Sequence, residues 1–202
     1  MSQKGDTESA VKLTFGAQRG GDYTHFSIYM IVNTLARRFE DALAAARNLP
    51  DEAEVQLGTI AFREDWAAQT LHHMGRSDEA RQAAAAALFR LKSLRTELGE
   101  DYRIDLAEAR VRALQGDSPE TIKTLVEKSR LAAPQDQLAE FENGYIIAQI
   151  FAITGMTAEV IKVLEPLLSP PSEASVYLVD LDPSFDAIRD DPEFKAMMER
   201  NR

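Results

Sequence analysis

Four short stretches of this chain share one design, and their spacing limits what it can fold into. They are LARRFEDALAAA, HMGRSDEARQAA, LQGDSPETIKTL and ITGMTAEVIKVL. In each, a helix-forming run ends, a short turn follows and an amphipathic helix begins. With Arg37, Gly75, Gly116 and Gly155 taken as equivalent, the separations are 38, 41 and 39 residues. A period of about 40 residues fits a unit made of two helices. One such unit cannot bury its apolar face alone, so neighbouring units must stack.

The turn residues support this alignment. Glycine at three of the four positions reaches the left-handed conformation that ends a helix. Ser77, Ser118 and Thr157 follow two residues later, and each is expected to be an N-cap. Pro119 would then occupy the first helical position, where its missing N–H costs nothing. Asp78, Glu79, Glu120 and Glu159 put negative charge in the first turn, which the helix dipole favours. Ala42/Ala46/Leu49, Ala80/Ala84/Ala87 and Val160/Leu164/Leu167 recur at i, i+4 and i+7, one face of a helix. Pro50, Pro134 and the Pro170-Pro171 pair mark further helix ends.

Composition removes several classes of chemistry. There is no cysteine, which excludes disulfides, thiolate nucleophiles and cysteine-based zinc or iron–sulfur sites. The net charge of −10 opposes binding to nucleic-acid phosphates or anionic lipids. It favours a basic peptide or protein partner, or simply solubility. Apolar residues make up 45% of the chain, yet the longest strongly apolar run, Tyr145 to Ile153, is too short for a membrane span. The polar start MSQKGDTESA lacks the hydrophobic core of a signal peptide, so the cytoplasm is the expected location.

On MGRSDEARQAAAAAL and TGMTAEVIKVLEPLL the chain resembles the tetratricopeptide family, with its small-residue turn and alanine-rich second helix. The resemblance covers about residues 22–170. It departs from the family in having few large aromatics at family positions and Arg37 in place of glycine. A narrower resemblance covers LEPLLSPPSEASVYLVDLDPSFDAIRDDPEFKAMMER. This is similar to the end of tetratricopeptide regions attached to bacterial nucleotide cyclases, serine/threonine kinases and winged-helix regulators. The shared residues are Leu181-Asp182-Pro183, Phe185, Asp186 and Arg189 to Phe194. That resemblance implies the C-terminal part of a larger regulator. None of the glycine-rich or catalytic-loop motifs of a kinase is present in this sequence.

Within that segment, DPSFDAIRDDPE has the acid spacing of a calcium loop. Ala187 stands where such a loop needs glycine, and Arg189 stands where it needs an apolar residue. Asp182-Pro183 and Asp191-Pro192 read instead as N-caps followed by first-helical prolines. Two short helices are expected, burying Phe185, Ile188, Phe194 and Met197 or Met198 over the open end of the stack. His72 and His73 are adjacent on a helix, about 100° apart, and cannot readily share a metal. His25 is isolated, and Trp66 with Phe62 reads as core. Ile104, Ala107, Val111 and Leu114 form the stripe of one helix. Glu108 and Arg112 form an i, i+4 pair, and Arg103 and Arg110 share a face. The clusters Asp51-Glu52-Glu54 and Asp190-Asp191-Glu193 sit at helix starts, and no nucleophile–base constellation is visible.

The expected fold is all-α: a right-handed superhelical α-solenoid of about four helix-turn-helix repeats with a C-terminal capping segment. Its parts are residues 1–21 (a loop or short helix, with GAQRGG as loop), repeats at 22–170 and capping helices at 171–202. The first helix of each pair would line a concave groove carrying Asp65, Gln69, His72, Arg103, Arg110, Tyr145 and Gln149. The expected function is a noncatalytic scaffold that binds a peptide or protein in that groove, with no cofactor, metal, nucleic acid or membrane. The alternative is a regulatory or sensory domain of a cyclase, kinase or transcriptional regulator, whose partner is an output domain on the same or a neighbouring protein. An enzyme is the remote third reading.

Overall fold

The turns decide the architecture. A computed structural model of the protein describes residues 7–14, 23–49, 54–56, 59–168 and 175–202. All four equivalent turn residues have a left-handed backbone: Arg37 at φ 62°, Gly75 at 73°, Gly116 at 85° and Gly155 at 71°. Each turn also closes with the same two hydrogen bonds. The Gly75 N–H donates to the His72 carbonyl (2.9 Å) and Arg76 N–H to that of Leu71 (3.0 Å). Arg37 and Arg38 repeat this on Thr34 and Asn33 (3.0 and 2.8 Å), as do the turns at Gly116 and Gly155. This is the Schellman closure, which satisfies carbonyls that a helix end would leave bare.

The result is four helical pairs: α2 (Tyr23–Leu35) with α3 (Phe39–Arg47), α4 (Arg63–His73) with α5 (Ser77–Leu98), α6 (Tyr102–Gln115) with α7 (Pro119–Ala132), and α8 (Gln137–Ile153) with α9 (Thr157–Leu168). Helix α1 (Thr7–Thr14) precedes them and packs on α2. Pair follows pair through contacts of α3 with α4, α5 with α6, and α6 with α8. Three helices, α10 (Val176–Leu181), a 3-10 helix (Pro183–Ile188) and α11 (Pro192–Arg200), end the chain.

Side-chain caps start six of these helices. Asp101, Ser118, Asp136, Ser175, Asp182 and Asp191 each accept a backbone N–H of the following turn. Ser118 caps as expected, and Pro119 follows at the first helical position. Ser77 and Thr157 do not cap: α5 and α9 begin at these residues themselves. The difference lies at Pro119, which disfavours helical backbone at Ser118 before it, and α7 starts one position later.

The repeated apolar faces form the core. Ala42, Ala46, Ala80, Ala84, Ala87, Val160 and Leu164 are buried to within about a hundredth of their surface. Small residues let the helices approach closely. At Gly144 on α8 a Cβ would lie 2.9 Å from a methyl of Leu167 on α9. The acidic side chain of Asp105 is buried as well, held by Arg95 (2.7 Å) and Lys128 (3.0 Å) and so tying α6 to α5 and α7.

One departure from an all-helical chain is a short antiparallel hairpin, β1 (Glu54–Gln56) and β2 (Thr59–Ala61), with Val55 opposite Ile60. Val55, Thr59 and Ile60 are β-branched and suit a strand. Ile60 is fully buried in the cluster that holds Phe62, Ile104 and Val111. Pro50, Asp51, Glu52, the GAQRGG segment and Pro170-Pro171 lie outside the described residues. Among the described residues, no helix is long and apolar enough to cross a membrane.

Candidate functional site

The first helices of successive pairs touch one another, α4 on α6 and α6 on α8. They make a layer in which polar residues of different repeats can meet. Asp65 on α4 and Arg110 on α6 do so, 45 positions apart. Arg110 Nε donates to Asp65 Oδ1 (3.2 Å), and Nη2 makes a closer contact with Oδ2. Asp65 is 0% exposed and Arg110 6%. The pair is therefore a strut inside the layer, and both side chains are already spent on each other. Gln69 lies one turn along from Asp65 and donates to the Asp65 carbonyl at 3.5 Å.

Arg103 stands apart from Arg110 although the two share a helix. It grips Asp101, the N-cap of its own helix, through Nη2 (2.6 Å) and Nε (2.9 Å). The hydrogen bond from Arg103 holds the Asp101 carboxyl below its ordinary range, against a smaller upward push from burial. Glu108 pairs with Arg112 at 2.8 Å, and Arg112 also reaches Asp117 at 2.9 Å. These contacts line a shallow depression between α6 and α7 that includes Glu120, Thr121, Thr124 and Leu125.

Tyr145 and Gln149, one turn apart on α8, converge on a third carboxylate. The Tyr145 hydroxyl (2.9 Å) and Gln149 Nε2 (2.7 Å) both donate to Oδ2 of Asp182, which is buried. Its other oxygen accepts the Ser184 N–H at 2.8 Å and so caps the 3-10 helix. Burial, then the Asp182 charge and hydrogen bond, push the Tyr145 phenol far above its usual range. Asp182 is thus fixed by chain contacts at both oxygens, in the place where a calcium loop would begin. Phe185, Ile188, Phe194, Met197 and Met198 are all buried, as the capping account expects. Among the described residues, no group of three His, Asp or Glu side chains is placed to hold a metal ion.

His72 and His73 end α4, with ring centroids 5.7 Å apart. His73 stacks on Phe39 of α3 at 6.0 Å. Burial drives its pKa down to about 4, opposed in part by the nearby Asp182 and Asp186 carboxylates and assisted by His72 and Arg37. Burial lowers His72 too. The His73 imidazole is therefore held neutral at pH 7.

The seven candidate groove residues fall into separate groups: Asp65, Gln69 and Arg110 together; Tyr145 and Gln149 together on Asp182; Arg103 on its own cap; and His72 beside His73. The Arg37–Asp186 pair, whose charges together with that of Asp182 act on His73, is one that sequence reasoning did not assemble. Its one outward sign was arginine in a turn where the other three units have glycine. Trp66 is half-buried and packs against the cluster of Tyr29, Met30, Ala45, Ala46 and Leu49, at the edge of the core rather than within it. No protein-family profile, curated protein or solved structure matches the chain.

Proposed function

We propose that this chain is a noncatalytic interaction scaffold, a right-handed superhelix of four tetratricopeptide-like pairs that takes a peptide or partner protein on the face formed by α2, α4, α6 and α8. The observation that carries this reading is the recurrence of one closed turn in every pair, together with the packing of α4, α6 and α8 into a layer. Repetition of this kind supports an extended surface rather than one reactive centre. The polar side chains at its centre, Asp65 and Arg110, are matched to each other. That gives rigidity and leaves Gln69 and His72 as the half-buried residues beside them. The net charge of −10 favours a partner with a basic surface. The proposed setting is the cytoplasm.

A photoreactive amino acid in place of Gln69 tests this in cells. It should cross-link one protein reproducibly, and the same group in place of the exposed Glu199 on α11 should not. Equal capture at both positions, or capture at neither, would sink the groove reading. The second reading, a regulatory domain serving a cyclase, kinase or transcriptional regulator, is favoured by the signature Leu181 to Phe194. It predicts that the cross-linked protein carries such an output domain.

A further inference from the structure

The first turn differs from the other three in one respect. Its left-handed position is held by arginine, where Gly75, Gly116 and Gly155 serve the equivalent turns. A side chain in that conformation carries a steric cost that glycine avoids. Such strain persists where the surrounding structure holds it in place, often for a purpose.

Arg37 reaches across 149 positions of sequence to Asp186 in the 3-10 helix. Nη2 donates to Oδ1 at 2.9 Å, and Nη1 makes a closer bond to Oδ2. This is the two-pronged geometry that guanidinium and carboxylate favour. Asp186 also accepts from Arg189 Nε (2.8 Å), and Arg189 Nη2 donates to the carbonyls of Asp182 (2.7 Å) and Val179 (3.2 Å). Arg189 therefore organises the segment from within, whereas Arg37 holds it from the first helical pair.

The segment is anchored unequally. On one side Phe185 is fully buried, with its ring 6.0 Å from those of Tyr145 and Phe194. Asp182 is locked onto α8 by Tyr145 and Gln149. On the other side the ion pair is half in solvent, at 39% exposure for Arg37 and 48% for Asp186. The apolar anchor is strong and insensitive to salt. The ionic contact is weak and screened by salt.

We propose that residues 182–189 form a strap from the last helical pair to the first, and that the Arg37–Asp186 contact is its releasable clasp. With the clasp open the strap stays attached to α8 through Phe185 and Asp182, while the guanidinium of Arg37 loses its partner. The proposal rests on contacts within the chain alone, so it stands or falls independently of whether a partner binds the groove.

Hydrogen exchange on the full chain separates a clasp from a turn residue. Arg37→Gly keeps the turn, since glycine suits its backbone, and removes the contact. In this variant, amide exchange across Ser184–Ile188 should quicken by about two- to fivefold relative to amides of α5 and α6, the range an exposed ion pair supports. Asp186→Asn should do at least as much, because Arg189 loses its partner too. Raising NaCl to 1 M should quicken the same amides more in the wild type than in Arg37→Gly, where only the Asp186–Arg189 pair is left to be screened. Unchanged exchange in Arg37→Gly would overturn the proposal and leave Arg37 as a turn residue only. A uniform change over the whole chain would overturn it as well, since the strap would then not move separately.

Discussion

Replacing Asp182 by alanine probes the capping account where it is most exposed to error. The carboxylate accepts three hydrogen bonds: the Ser184 N–H at 2.8 Å, the Tyr145 hydroxyl at 2.9 Å and Gln149 Nε2 at 2.7 Å. Loss of an N-cap costs about 1 kcal/mol. Each donor left without an acceptor in a buried site costs about 1–3 kcal/mol, less where water enters. Asp182→Ala should therefore destabilise the protein by about 3–5 kcal/mol. For a urea slope of about 2–3 kcal/mol/M, the midpoint would fall by roughly 1–2.5 M. Asp182→Asn is the informative partner. Its carbonyl oxygen still caps Ser184, and its amide can donate to the Tyr145 hydroxyl while Gln149 turns its own carbonyl inward. This variant should lose no more than about 1 kcal/mol. A cost below about 1 kcal/mol for alanine would refute the reasoning. So would a wild-type midpoint that rises in millimolar calcium and not in chelator, since a ligand of the folded state must stabilise it.

Asp65→Ala and Arg110→Ala should each cost about 3–5 kcal/mol by stranding a buried charge. The double replacement Asp65→Leu/Arg110→Met should recover most of that loss in thermal melts, and additive losses would show that the two do not act as a pair. His73 gives the chain a pH dependence. Its folded pKa, near 4, lies below the ordinary value of 6.5. The unfolded chain therefore binds more protons between these values. Stability should be full above pH 6.5 and fall as pH drops towards 4, by at most about 3 kcal/mol. His73→Phe should flatten denaturation midpoints over that window, and an unchanged slope would exclude His73 as the source.

The helical pairs were legible because their signals are local. A left-handed turn residue, a proline at the first helical position and apolar residues at i, i+4 and i+7 each act within a few residues. The structure places Gly75, Gly116, Pro119 and the alanine faces accordingly. Ser77 and Thr157 were misread because a hydroxyl two residues after glycine caps only when the next helix starts one position later, as Pro119 compels after Ser118. The hairpin was hidden by its brevity, since three residues per strand leave almost no alternation to detect. The site was less legible for a different reason. Asp65 and Arg110 were expected in one groove, but nothing in either local sequence states that they meet and bury each other. Tyr145 and Gln149 were seen as partners for a ligand, yet their acceptor is Asp182, more than thirty residues further along. Arg37 and Asp186 are joined because the fold brings the first turn against the 3-10 helix, which no spacing encodes.

On the scaffold reading, the first helices of the pairs, α2, α4, α6 and α8, carry the binding surface. Hydrogen exchange of the chain, alone and saturated with the protein captured at position 69, tests it most directly. Protection should rise on α4, α6 and α8 and remain unchanged on α5, α7 and α9. Protection on the second helices instead, or none on any helix, would contradict the claim.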